Sequence, residues 1–225
     1  MEHSWSGMYF NDKFAREGIE AEYKLYEAQR VEDIPALLHQ LDGCNITIPY
    51  KQAVIPYLTT IDPVAQEIGA VNVVDKQGKG WNTDWRGFTD SIRPLLQVQD
   101  KHALVLGTGG AAKAILYALK QLDIQTTVVS RTPQKGTMTY NQLTEDMVRS
   151  HTLIVNCTPL GMSPHIDECP AIPYSAIGSA HLLYDCIYNP EQTLFLQKGQ
   201  AQGARTKNGL EMLHKQAEEA WMCLV

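Results

Sequence analysis

Gly107-Thr108-Gly109-Gly110-Ala111-Ala112 is the stretch whose residue types and spacing point most directly to chemistry. Gly107, Gly109 and Ala112 fit the G-x-G-x-x-G/A spacing of a dinucleotide-binding turn. Gly107 permits a tight turn out of a strand. Gly109 lets the backbone approach a pyrophosphate, because a Cβ there would intrude. Ala112 allows the following helix to pack closely on the strand. The free N–H groups at the helix start face the phosphates, and the helix dipole favours negative charge there.

The flanking sequence supplies the elements that such a turn needs. An apolar run, Leu104-Val105-Leu106, precedes it, and a helical pattern follows from Ala111 to Leu119. Beyond that, alternation and β-branched residues predict strands at Thr126–Ser130, Leu153–Cys157 and Leu182–Cys186. Helical patterns are predicted at Leu143–Val148, Glu191–Gln202 and Gly209–Leu224. Strands alternating with helices imply a parallel sheet with right-handed crossovers. Because the glycine turn lies in mid-chain, a separate α/β unit must precede it. There the pattern predicts helices at Met8–Gly18, Val31–Leu41 and from Asp84 to about Leu96. It predicts strands at Ala21–Glu27, Cys44–Ile48 and Gly69–Val74, and a turn at Gly78-Lys79-Gly80.

Composition narrows the class. The 225 residues are 44% hydrophobic and 20% charged, enough apolar material for a sizeable core. The formal charge is -6 and no basic stripe stands out, so a nucleic-acid partner is not expected. No apolar run is long enough to span a bilayer, and the polar opening Met1-Glu2-His3-Ser4 does not resemble a signal peptide. Five scattered cysteines without C-x-x-C spacing read as reduced thiols, so a cytoplasmic setting is expected, without a disulfide framework or metal site.

Seven motifs in order make the chain similar to the shikimate dehydrogenases. They are Asn45-Ile46-Thr47-Ile48-Pro49-Tyr50-Lys51, Gly69-Ala70-Val71-Asn72, Asn82-Thr83-Asp84, the glycine turn, Asn156-Cys157-Thr158-Pro159-Leu160-Gly161-Met162, Tyr184-Asp185-Cys186-Ile187-Tyr188-Asn189-Pro190, and the run from Asn208 to Gln216. The resemblance implies an α/β protein of two domains. An N-terminal α/β substrate-binding domain would cover residues 1–84 and be completed by the C-terminal helix, 208–225. A Rossmann-like parallel-sheet NADP-binding domain would cover 85–207. It implies reversible, NADP-linked reduction of 3-dehydroshikimate to shikimate by a monomer or homodimer. A quinate-oxidising relative and a non-catalytic nucleotide-binding relative are the alternatives.

The resemblance also carries roles to particular positions. Lys51 and Asp84 match the catalytic pair: an ammonium can protonate the developing alkoxide while a carboxylate orients it. Asn45, Thr47, Asn72, Tyr188 and Gln216 fall on substrate-facing positions, and Ser4 and Ser6 match a pair that holds the substrate carboxylate. For Asn45, internal hydrogen bonding is the alternative reading. Thr158, Cys186 and Gly209 fall beside the coenzyme, along with Gly107, Thr108, Gly109, Gly110 and Ala111. Where NAD-specific folds carry an acid beyond the second strand, this chain has Ser130-Arg131-Thr132, with Lys135 one helical turn further on. Two cations without an acid favour the 2′-phosphate of NADP. One departure is expected to matter. The strand and G-x-P turn that precede the two serines in the family do not occur in this sequence, which would leave Ala21–Glu27 or Cys44–Ile48 without a neighbour.

Overall fold

The structure, a computed structural model, describes residues 5–225. Two sheets carry the site. The first is built from β1 (Gly43–Asn45), β2 (Thr60–Ile61), β3 (Val73–Asp75) and β4 (Lys79–Trp81), in the order β1-β3-β4-β2. It is mixed: β3 runs antiparallel to β1 and β4, and β2 runs parallel to β4. Helices α1 (Trp5–Glu17), α2 (Ile34–Leu38) and α3 (Pro63–Ile68) belong to this half. Asp62 caps α3 by accepting from Val64 N and Ala65 N, Pro63 opens it, and Gly69 ends it in the left-handed region at φ 68°.

The second sheet is wholly parallel. It contains β5 (His102–Leu106), β6 (Gln125–Ser130), β7 (Met138–Thr139), β8 (Leu153–Asn156), β9 (Leu182–Asp185) and β10 (Arg205–Lys207), in the order β10-β9-β8-β5-β6-β7. Counted from β5, this is the doubly wound 3-2-1-4-5-6 order, whose direction reverses between β5 and β8. Helices α4 (Asp84–Ile92) and α5 (Gly110–Gln121) pack on one face, and α6 (Glu145–Ser150) and α7 (Leu194–Ala201) on the other. The central strands are buried on both faces, which explains their near-continuous apolar sequences.

Several expectations need correction. Ala21–Glu27 alternates like a strand but pairs with no strand among the described residues, because it lies against helix α1, whose backbone is already bonded within the helix. Instead the Asn11 side chain bonds both the N–H and the C=O of Tyr23. The first sheet is mixed, and the turn runs through Lys76, Gln77 and Gly78, with Gly78 at φ 77°, so that Lys79 and Gly80 already belong to β4. The predicted helix Val31–Leu41 shrinks to a 3-10 turn and the five residues of α2. No helix joins β6 to β7. β7 pairs only with the last two residues of β6, so residues 131–137 need only turn and return. Lys135 therefore lies in an open loop, not one helical turn beyond Arg131.

Helix α8 (Leu210–Leu224) leaves the second sheet after β10 and returns to α1 and α4. It packs through Ala217 and Trp221 into an aromatic cluster with Phe10 and Phe14, and Lys13 of α1 pairs with Glu218 at 3.2 Å. At the α4–α8 crossing, a Cβ on Gly87 would lie 2.7 Å from the Met212 carbonyl oxygen and 2.9 Å from Gln216 N. Backbone cannot yield as a side chain does. Gly87→Ala is expected to destabilise the protein by about 1–3 kcal/mol, the usual cost of overpacking. Gly178→Ala, where a Cβ meets nothing within 4 Å, should leave the melting temperature nearly unchanged. Thermal denaturation of the two variants checks this.

Candidate active site

Lys51 lies in the turn that follows β1, and Asp84 is the first residue of α4. The Lys51 Nζ donates to Asp84 Oδ2 at 2.7 Å. Both side chains are largely sealed from solvent, at 14% and 6% exposure. The N-cap of α4 is Thr83, not Asp84, so the Asp84 carboxylate sits within the first turn, where the helix dipole favours it. Its other oxygen accepts from Asn72 Nδ2 at 3.1 Å. The same amide nitrogen lies 2.9 Å from Thr83 Oγ1 and 3.3 Å from Gln216 Oε1, while Asn72 Oδ1 accepts from Thr83 N at 2.7 Å. Thr83 in turn donates to the Gln216 carbonyl at 3.0 Å. Lys51, Asp84, Asn72 and Gln216, which lie far apart in sequence, thus form one network that joins both ends of the chain.

The glycine turn comes up against this network. Gly107 has φ 112°, which favours glycine, and a Cβ there would press on the Cys157 carbonyl at 3.2 Å and on Thr158 Cγ2 at 3.3 Å. Gly109 faces open space, with no heavy atom within 4 Å of where its Cβ would stand. No side chain caps α5, so the first-turn N–H groups are available to an anion. Thr108 and Ala111 are half-buried beside them, and Ala112 is buried against the sheet. A Cβ on Gly110 would stand 2.9 Å from Lys51 Cβ. The turn that would hold a pyrophosphate is therefore in contact with the stem of the lysine. The Gly109 opening and the uncapped helix start fit a dinucleotide phosphate.

Two polar side chains that sequence reasoning left without a role fix the loops here. Asn156, the last residue of β8, accepts from Thr158 N at 3.0 Å and Thr158 Oγ1 at 2.7 Å. It donates to Asp185, the last residue of β9, at 3.0 Å. Asp185 is fully buried and also accepts from Ile187 N at 3.0 Å and Thr193 Oγ1 at 2.5 Å. The available signal was a polar residue ending an otherwise apolar strand. Burial pushes the Asp185 carboxyl up to about 6, against the pull of its hydrogen bonds to Thr193, Ile187 and Asn156. Gly209 rests on the same strand end, where a Cβ would collide with the Cys186 carbonyl. Its glycine identity follows from that close approach.

The remaining predicted residues divide. Tyr188 is 38% exposed and Thr47 is exposed, both open to a ligand. Asn45 Oδ1 accepts from Tyr23 OH at 3.2 Å, so the internal hydrogen bond is present. Ser6 lies in the first turn of α1, which starts three residues before the predicted Met8 because Trp5 stacks on Tyr9 and meets His214 edge-on. Ser4 lies outside the described residues. Ser130 is buried at the end of β6, and its Oγ accepts from Thr132 N at 3.4 Å. Arg131 and Lys135 are exposed. The Tyr140 hydroxyl near Arg131 is buried without a partner. Burial raises it to about 12 despite the guanidinium, which draws it down. Among the described residues no group of His, Cys, Asp and Glu converges as metal ligands, and no helix is long and apolar enough to cross a membrane.

The chain is similar to known proteins. Residues 1–74 match the shikimate dehydrogenase substrate binding domain. The shikimate dehydrogenase (NADP(+)) of Desulforamulus reducens is 34% identical, over 98% of this chain and 86% of its own length. That of Ignicoccus hospitalis is 36% identical, over 99% of this chain and 90% of its own. The chain belongs to the shikimate dehydrogenase family. Among solved members of that family, the shikimate 5-dehydrogenase of Thermus thermophilus in complex with NADP(H) and shikimate superposes with a TM-score of 0.87 at 30% identity. It covers 99% of this chain and 88% of that one. The Aquifex aeolicus enzyme gives 0.86 at 32%, with the same coverage.

The Asp185 carboxyl yields a pH prediction. Its folded pKa, about 6, stands above the ordinary aspartate value of 3.8. The folded state therefore binds the proton more tightly than the unfolded state, and stability falls as pH rises from about 4 to about 6. Asp185→Asn keeps the geometry, since an amide can donate to Thr193 Oγ1 and accept from Asn156 and Ile187. The stability of the parent relative to this variant should decline across that window and level off above it. Urea denaturation at a series of pH values checks this.

Proposed function

We propose that this chain is an NADP-dependent shikimate dehydrogenase, reversibly reducing 3-dehydroshikimate to shikimate in the route to chorismate and the aromatic amino acids. The observation that carries this reading is the sealed Lys51–Asp84 pair set against the first turn of α5. Residues 1–84 with 208–225 form the substrate domain in this reading, and 85–207 the coenzyme domain. The coenzyme, when bound, supplies or accepts the hydride. The turn from Gly107 to Ala111 would hold its pyrophosphate, with Thr158, Cys186 and Gly209 bordering the nicotinamide. Arg131 would stack on the adenine and bind the 2′-phosphate with Lys135 and the Ser130–Thr132 turn. A cytoplasmic setting and a monomer or homodimer belong to the same proposal.

The chain's own part is positioning and the proton. Lys51 holds a proton at Nζ, directed by Asp84 Oδ2, for the oxygen of the reacting carbonyl. Asn72 keeps the carboxylate from turning by binding its other oxygen. This is preorganisation: the donors are aimed before charge develops, so no reorientation is needed in the transition state. Asn72, Gln216, Thr47 and Tyr188 offer donors and acceptors to the ring hydroxyls, with Asn45 behind them. Ser4 and Ser6 would take the substrate carboxylate. Oxidation of NADPH with 3-dehydroshikimate, 3-dehydroquinate or no substrate separates this reading from a quinate enzyme and from a non-catalytic relative.

Lys51→Met is expected to lower kcat by about 10²–10⁴-fold, the span of general acid–base catalysis. Asp84→Asn should lose a similar factor and raise KM for the substrate. Because Lys51 Cβ touches Gly110, NADPH affinity in Lys51→Met also deserves measurement by fluorescence titration, with little change expected. Circular dichroism confirms folding, since removing one partner of a buried pair is itself costly. A Lys51→Met protein with full kcat would remove Lys51 from the mechanism.

Coenzyme choice gives a separate test. The protein should show a higher kcat/KM with NADP than with NAD. Arg131→Ala should erode that preference and cost NADP more than NAD, because the adenine stack is lost for both coenzymes and the 2′-phosphate contact for NADP alone. Equal kcat/KM for both coenzymes in the parent would overturn the assignment of Arg131 and Lys135.

A further inference from the structure

Two cysteines outside the proton machinery stand side by side at the bottom of the candidate site. Cys157 follows the last residue of β8 and Cys186 the last residue of β9, one step beyond the registered pair Asn156 and Asp185. Cys186 N donates to the Asn156 carbonyl at 3.0 Å, so the strands are still paired at this level. Neighbouring strands lie about 4.8 Å apart, within the Cα separation a disulfide spans. The two sulfurs are already 3.9 Å apart, with the Cys186 thiol donating to Cys157 Sγ. The surroundings are functional. The Cys157 carbonyl supports Gly107, the Cys186 carbonyl supports Gly209, and the charge of Asp84 bears on the Cys186 thiol.

We propose that Cys157 and Cys186 are a dithiol in the floor of the coenzyme site that peroxide converts to a disulfide, disabling the enzyme reversibly, and that bound NADP(H) shields it. The shielding rests on the reading that the coenzyme occupies the Gly107–Ala111 turn. The two sulfurs are in contact, so one can attack and the other resolve. One thiolate attacks a peroxide oxygen, the O–O bond breaks, and hydroxide leaves with a proton as water. The other sulfur then attacks the sulfenic sulfur, forming the S–S bond and releasing a second water. In balance, two thiols and one hydrogen peroxide give one disulfide and two waters; sulfur is oxidised and peroxide reduced. A dithiol reductant reverses the step by exchange. Closing the sulfurs from 3.9 Å to bonding distance shifts the two residues whose carbonyls lie against Gly107 and Gly209.

The test treats the full chain with hydrogen peroxide, with and without NADP+. Thiols titratable after denaturation should fall from the five of the sequence to three, and activity should fall in parallel. Non-reducing peptide mapping should recover a Cys157–Cys186 peptide lighter by two hydrogens, and dithiothreitol should restore both thiols and activity. NADP+ at ten times its Kd should slow cross-linking about tenfold, the factor by which it depletes the free protein. Cys157→Ala should form no such cross-link and keep a larger share of its own starting activity. Absence of the cross-link, or equal inactivation of Cys157→Ala, overturns the proposal. So does cross-linking at an unchanged rate in protein that binds NADP+ normally. NADP+ affinity of the reduced protein is measured separately: if it does not bind, the coenzyme reading fails, while the peptide map still decides whether the dithiol closes.

Discussion

A sealed ion pair is the constraint on which this structure depends. An ammonium and a carboxylate removed from water are stable only if each remaining lone pair and proton finds a partner. Asp84 meets that demand with Lys51 on one oxygen and Asn72 on the other. Asn72 is itself held by Thr83, and Thr83 by the backbone of α8. Each partner comes from a different part of the chain, so the pair is satisfied only when the first sheet, α4 and α8 are all in place. Function and fold share one network here. Gly87 permits the close α4–α8 approach that the network needs, and the aromatic contacts between α1 and α8 hold that helix from the far side.

The second sheet obeys a parallel logic at its carboxyl edge. Its strands β6, β8 and β9 end in the buried polar residues Ser130, Asn156 and Asp185, and the last two bind one another and the loops above them. Asn156 and Asp185 turn the ends of β8 and β9 into a platform that orients Thr158 and the start of α7. The strand order reverses between β5 and β8, which leaves a crevice where Gly107 turns. The uncapped start of α5 opens into that crevice with Lys51 alongside. A phosphate-binding element and a proton-bearing side chain thus meet at a single seam. The Cys157 and Cys186 sulfurs lie at the base of the same platform, so whatever alters the strand ends alters both.

The departures from expectation are instructive because each has a local cause. Ala21–Glu27 has the alternation of a strand, but a ladder needs a second backbone, and the Asn11 amide fills that role only for Tyr23. Residues 131–137 carry the cations expected near a 2′-phosphate, yet not on a helix, since β7 pairs with β6 over two residues only. Short strands such as β2, β4 and β10 contain too few residues for periodicity to show. Helix α3 was likewise hidden, although Asp62, Pro63 and Gly69 are clear start and stop residues once its six positions are known.

The sequence by itself determined the strand–turn–helix at Gly107, the alternation of strands and helices that follows, and the motif order that places the chain among the shikimate dehydrogenases. These are local properties: glycine spacing, apolar periodicity and residue type act over a few neighbours. It also named Lys51, Asp84, Asn72 and Gln216, but one at a time. Only the tertiary structure decided that these four share one hydrogen-bonded network, that Asn45 is engaged by Tyr23, and that Gly110 abuts the lysine stem. It alone set Cys157 beside Cys186 and buried Asp185 deeply enough to raise its pKa. The physical reason is the same in each case. Distance, desolvation and partner choice between residues remote in sequence arise from packing, and packing leaves no period or spacing in the chain to read.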